Sequence, residues 1–164
     1  MPATSKKQQM GPAYVAGFLD GEGNITILAR NRCVGYTSYG LHVGFTNRDV
    51  RPLVAIQDVY GGNLFEKPRY NPKHSRAFEL RIGARSAVFK LLCDVLPHLI
   101  CKREQAELGL AFLTLGKVKM KVIGHRKIHP KKGGTHPILK AVDGEQEIRE
   151  AAKQNLMLLN KRGA

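Results

Sequence analysis

The sequence predicts an α+β fold in which four antiparallel strands carry helices on one face. Two observations predict it. Segments of apolar/polar alternation occur in two pairs, the second after Gly61-Gly62. Segments with helical apolar spacing precede, separate and follow those pairs. The implied order is α-β-β-α-β-β-α-α, with no internal repeat.

Pro12 suits the first turn of a helix, where a missing N–H costs nothing. Ala13–Leu19 continues it with apolar and small residues until Gly21 and Gly23 end it. In Asn24–Arg32, Ile25, Ile27 and Ala29 alternate with Thr26, Leu28 and Arg30. Leu41, Val43 and Phe45 alternate with His42, Gly44 and Thr46, so both segments read as half-buried strands joined around Gly35. Asn47 or Asp49 can cap a second helix to Tyr60, which Gly61-Gly62 stops. A second hairpin is expected, with strands near 63–69 and 76–83 and a turn at Tyr70–Lys73. In its later strand Phe78, Leu80 and Ile82 share one face, and Ala77, Glu79 and Arg81 the other.

Ser86 is the expected cap of a third helix to about Leu96, broken by Pro97. Ile100–Leu115 forms a fourth, with Ala106, Leu110 and Leu113 on its apolar face. Gly116–Lys140 shows no clear periodicity and reads as a basic loop. Asp143-Gly-Glu-Gln146 resembles a capping box that opens a last helix to about Lys161. Residues 1–115 are then a core, and 116–164 a basic loop plus C-terminal helix completing the same domain.

Charge narrows the class of partner. The chain has 164 residues with 27 Lys plus Arg against 13 Asp plus Glu, a formal net charge of +14. The signs are segregated: residues 1–48 hold only Asp20 and Glu22 as carboxylates, and 117–140 hold eight Lys/Arg and none. Such a surface steers and holds a polyanion, which points to nucleic acid. No apolar run approaches the roughly 20 residues needed to span a bilayer, so no membrane partner is expected. The first ten residues lack a signal-peptide apolar stretch, which predicts the cytoplasm or an organelle matrix and no secretion. Three cysteines without a CxxC pair suit a reducing compartment, and Cys93, in an apolar periodic stretch, reads as a core residue.

The polar sheet face carries Thr26, Arg30, Arg32, His42, Thr46, Glu79 and Arg81. A twisted ribbon with these residue types can lie in a major groove, where Arg pairs with guanine and Glu accepts from cytosine. Arg48, Arg69 and Arg76 flank it, and Lys131 and Lys132 lie in the basic loop, so all are candidate DNA contacts. In the first helix, Ala13, Ala16 and Gly17 allow another backbone to pack closely. Asp20 and Glu22 follow at the helix C-terminus, the wrong end for negative charge. They form either an exposed acidic turn or a site where another group compensates them.

Tyr14-Val-Ala-Gly-Phe-Leu-Asp-Gly-Glu-Gly23 resembles the signature of the LAGLIDADG homing endonucleases, and the resemblance extends over residues 11–115. It implies the αββαββα fold of that family, with a saddle-shaped four-stranded antiparallel sheet. A single motif copy implies a homodimer whose motif helices meet through Ala13, Ala16, Gly17 and Asp20, and a near-palindromic target. The position matching the family's metal-binding acid is Glu22, and the carbonyl of Gly21 matches a backbone metal ligand. Asn47, Arg51 and Lys102 match a water-positioning residue and two basic catalytic residues. Glu stands at 22 where Asp is commoner, and Asn at 47 where Gln is typical. The implied activity is hydrolysis of both strands of duplex DNA with Mg²⁺, Mn²⁺ being able to substitute, by an intron-encoded enzyme. The alternative on the same fold is a maturase that binds intron RNA as a splicing cofactor without cutting.

Overall fold

The computed structural model describes residues 10–33, 36–69, 75–115, 120–127, 135–141 and 144–162. Helix α1 spans Pro12–Glu22, strand β1 Gly23–Cys33, β2 Tyr36–Asn47, and helix α2 Val50–Tyr60. Strands β3, Asn63–Glu66, and β4, Phe78–Ile82, follow. Helix α3 covers Arg85–Val95, a single 3-10 turn Leu96–His98, and α4 Arg103–Thr114. Strands β5, Met120–Lys127, and β6, Thr135–Ala141, precede the last helix, α5, at Glu145–Arg162.

The first four strands form one antiparallel sheet in the order β1-β2-β4-β3. The expected alternation divides its two faces. Ile25, Ile27, Leu41, Val43, Phe45, Leu80 and Ile82 are buried against the helices. They meet Val15 and Leu19 of α1, Leu53 and Ile56 of α2, Leu91 and Leu92 of α3, and Phe112 of α4. Each such aliphatic side chain contributes about 1.5–3 kcal/mol by leaving water.

Glycines set two of the corners. A Cβ on Gly23 would stand 2.8 Å from the Leu19 carbonyl oxygen, so only glycine permits the abrupt passage from α1 into β1. Gly61 and Gly62 have φ of 71° and 109°, the left-handed region that ends α2.

Several expectations are corrected. Gly116–Lys140 is not loop throughout: 120–127 pairs with 135–141 as a hairpin. Its alternation is hidden by a register shift between Val122 and Gly124, which breaks the period of two. Ser86 lies inside the first turn of α3, whose N-cap is Ala84 with no side-chain hydrogen bond. Strands β3 and β4 are shorter than 63–69 and 76–83. Cys93 is exposed, as is Cys101, because the inward stripe of α3 is Val88, Leu91, Leu92 and Val95. Of the two candidate caps for α2, Asp49 holds the position and accepts from the Arg51 N–H. The Tyr70–Lys73 turn and the Asp143 cap lie outside the described residues.

Helix α5 closes the β1 edge of the sheet. Asn160 donates to the Ile25 carbonyl at 3.0 Å, Leu156 enters the core, and the Arg149 guanidinium stands 5.6 Å from the Phe112 ring centre.

Candidate nucleic-acid interface and active site

Helix α1 is apolar on all sides until its last turn, so its two faces differ by residue size. Val15, Ala16 and Leu19 are buried in the chain's own core. Ala13, Gly17 and Gly21, four residues apart, are exposed, and a Cβ on Gly17 or Gly21 would meet nothing within 4 Å. Ala16 therefore cannot reach a second copy, which corrects its place in the expected interface. Ala13 and Gly17 remain on the open side, joined there by Gly21.

Asp20 has a structural role at the end of its own helix. Its carboxylate accepts from the backbone N–H groups of Ile100 at 2.8 Å, Cys101 at 3.2 Å and Lys102 at 2.9 Å. It thereby ties the entry of α4 to the end of α1. The Lys102 ammonium donates to the Asp20 carbonyl, one of the helix-end oxygens that lack an intrahelical partner. Asp20 and the helix end are thus compensated from within the chain, by three amides and one lysine. Glu22 is exposed, and has no hydrogen-bond or ion-pair partner among the described residues.

Lys102 is accordingly brought to the turn that carries Gly21 and Glu22, while Asn47 and Arg51 are engaged elsewhere. The Asn47 side-chain oxygen accepts from the Asp49 N–H at 2.8 Å, leaving its amide NH₂ and the oxygen's second lone pair. Arg51 Nε lies 3.0 and 2.9 Å from the two Asp49 oxygens. The Arg51 side chain and then its backbone N–H hold the Asp49 carboxyl down to about 2. Asp49 and Arg51 line a groove of about 480 Å³ with Met10, Gly11 and Tyr14 at the start of α1. Tyr14 and Glu22 are separated by about 12 Å along the helix axis. Among the described residues, no hydrogen bond or ion pair joins Arg51 to Glu22.

On the outer sheet face, register pairs Thr26 with His42, Thr46 with Glu79, and Gly44 with Arg81. Arg30 is exposed, and Thr26 and Thr46 are half-buried. Glu79 does not stand free to read a base: it is 8% exposed and accepts from Arg81 at 2.6 and 3.1 Å. Lys67 Nζ lies 3.7 Å from its other oxygen. Glu79 therefore aims Arg81, whose guanidinium also stands 5.4 Å from the Phe65 ring centre. The sequence reading missed Phe65 and Lys67; once β3 is paired, Phe65 stands opposite Glu79.

His42 is packed into the face. A Cβ on Gly83 would strike its ring at 2.5 Å, and its Nδ1 is buried with no partner among the described residues. Burial, then the charges of Arg30 and Arg81, push its pKa below the usual imidazole value. Arg48 is exposed. Arg69 and Arg76 lie 3.9 and 3.5 Å from Glu66 and are partly exposed. The Arg32 side chain, Lys131 and Lys132 lie outside the described residues. No group of three or more potential metal-binding side chains occurs among the described residues of one chain. No helix described is long and apolar enough to cross a membrane.

No family profile and no curated sequence matches the chain. Solved structures do match its fold. The homing endonuclease I-TnaI is 25% identical over 66% of this chain and 74% of its own, with a TM-score of 0.55. I-CvuI, in complex with the I-CreI target, is 24% identical over 63% of this chain, with a TM-score of 0.51. The LAGLIDADG homing endonuclease I-SmaMI, bound to cleaved DNA, is 23% identical over 65% of this chain, with a TM-score of 0.53. The matched region spans 65% of I-CvuI and 36% of I-SmaMI. The architecture is α+β, with helices on one face of a four-stranded antiparallel sheet. It is the fold of the LAGLIDADG homing endonucleases.

Proposed function

We propose that the chain is a site-specific homing endonuclease that works as a homodimer and hydrolyses both strands of duplex DNA. The observation that carries this reading is the end of α1. A face of small residues with open space above it leads to Glu22, an exposed carboxylate without a partner among the described residues, two residues beyond the Asp20 carbonyl that Lys102 binds. Two copies meeting through Ala13, Gly17 and Gly21 would bring two Glu22 carboxylates together, and these repel unless cations lie between them. The two-fold relation would in turn require a near-palindromic target.

The donor set fits a hard cation, because Glu22 and the Gly21 carbonyl offer oxygen only. Among the described residues one chain supplies too few groups to enclose an ion, so a second copy and DNA phosphate would have to complete the site. A bound Mg²⁺, or Mn²⁺ in its place, would neutralise phosphate charge and make a bound water more acidic. Lys102 places a positive charge where negative charge develops, and while charged it cannot accept a proton. Asn47 accepts from the Asp49 N–H with its oxygen and can orient a water through its NH₂ or through the oxygen's second lone pair. Arg51 pairs with Asp49 through Nε and one terminal nitrogen, and its second terminal nitrogen can reach DNA phosphate while that pair holds. Arg30 and the aimed Arg81 supply guanine-type contacts from the sheet.

The test is incubation of the purified protein with a plasmid library of randomised inserts, with Mg²⁺, with Mn²⁺ and with chelator. Metal-dependent linearisation at a near-palindromic subset of inserts is expected. Tight binding without cutting in either metal, together with stimulation of intron RNA splicing, would replace this reading with the maturase one.

A further inference from the structure

The β5–β6 hairpin has an asymmetry that its backbone register creates. Lys121 stands opposite Lys140, and Arg126 opposite His136. The two pairs are five residues apart on β5 but four apart on β6. In an uninterrupted ladder, Lys121 and Arg126 would therefore fall on opposite faces. The register shift between Val122 and Gly124 removes that mismatch by leaving Ile123 out of the pairing. The register positions of Lys121, Arg126, His136 and Lys140 consequently share one face, with Gly124 and Ile138 between the two pairs. Met120, Val122, Leu139 and Ala141 share the other, which also holds His125, Pro137, Lys127 and Thr135.

Two basic pairs placed directly across an antiparallel ladder destabilise it in isolation. No carboxylate occurs between residues 117 and 140 to relieve them. A partner carrying closely spaced negative charge does relieve them. The step from Lys140 to His136 is about 13 Å, the axial rise of about four phosphates on one DNA strand. Strand β6 also runs close to β2, so the hairpin stands beside the sheet that carries Arg30 and His42.

We propose that the Lys121–Arg126–His136–Lys140 face binds the phosphate backbone of duplex DNA, and that it adds affinity without base preference. The proposal rests on the DNA reading above and extends the contact surface beyond the four-stranded sheet. The bulge at Ile123 is the feature that brings both basic pairs to the same face.

Arg126 and Lys127 give a matched test, being adjacent residues of equal charge at opposite-face positions. The full chain is titrated with a mixed-sequence DNA duplex in Ca²⁺ across a salt series, as wild type, Arg126→Gln and Lys127→Gln. Arg126→Gln should reduce the slope of log affinity against log salt by about 0.9, the value of one phosphate contact. Lys121→Gln and Lys140→Gln should do the same from two different strands, and Lys127→Gln should leave the slope unchanged. Equal effects of Arg126→Gln and Lys127→Gln would overturn the proposal, since net charge alone would then explain binding. Slope changes seen with an RNA duplex but not with DNA would overturn it in favour of RNA as the occupant. A wild-type protein that ignores duplex DNA altogether would instead defeat the DNA reading on which the proposal rests.

Discussion

Asp20 shows how one side chain can belong to the motif and yet serve the fold. Its two oxygens accept three backbone N–H groups at the entry to α4. An asparagine there would turn its NH₂ towards at least one of those donors. Asp20→Asn should lower stability by about 1–3 kcal/mol, the scale for losing hydrogen bonds to a charged acceptor. Urea denaturation would check it, and unchanged stability would remove the structural role. Tyr60 offers a second residue-scale test, because burial, then its hydrogen bond to Asp94, push its pKa up to about 12. A raised pKa favours the protonated state, so this stability is full below pH 10 and is lost as pH climbs towards 12. Tyr39 shifts the same way through burial, then Glu150. Tyr60→Phe should therefore reduce the alkaline loss of stability, measured as thermal midpoint against pH. Neither tyrosine's partner is legible from local pattern, since Asp94 and Glu150 lie far from Tyr60 and Tyr39 in the chain.

At the scale of elements, what could be read from residues was what periodicity and turn chemistry control. Strands β1 and β2, the stop of α2 at Gly61-Gly62 and the break at Pro97 all follow from local pattern. The β5–β6 hairpin did not, because one unpaired residue shifts its alternation and basic side chains mask the rest. At the proposed site, the motif and its matching stretch name Glu22 and Lys102 from sequence, and the fold brings Lys102 to the Asp20 carbonyl two residues before Glu22. The packing of Ala16 was not, because a small residue suits an own-core contact and a helix–helix contact equally well. Gly17 now gives a cleaner test of assembly than the sequence alone allowed. Open space above its Cα means that a leucine can be accommodated in a single chain. Gly17→Leu should keep the fold while separating the two α1 helices, since overpacking at a close contact typically costs 1–3 kcal/mol. Sedimentation with circular dichroism would read this as a folded monomer. A folded dimer that still cleaves would remove α1 from the interface.

At the scale of the whole molecule, charge and shape divide the work. The net charge of +14 is carried mainly outside the α1 tip, where Glu22 faces outward as an acid in a basic protein. Affinity on this account comes from Lys and Arg, base preference from the sheet, and cutting from the end of α1. The division is tested most directly by Glu22→Gln, which keeps the side chain's length and removes its charge. Plasmid cleavage and gel-shift affinity would be measured on the same preparation, the first in Mg²⁺ and the second in Ca²⁺. The account predicts that cleavage is lost while dimerisation persists and DNA affinity is equal or higher, because a negative charge facing phosphate has gone. Undiminished cleavage by Glu22→Gln would contradict the assignment of the reaction to the end of α1.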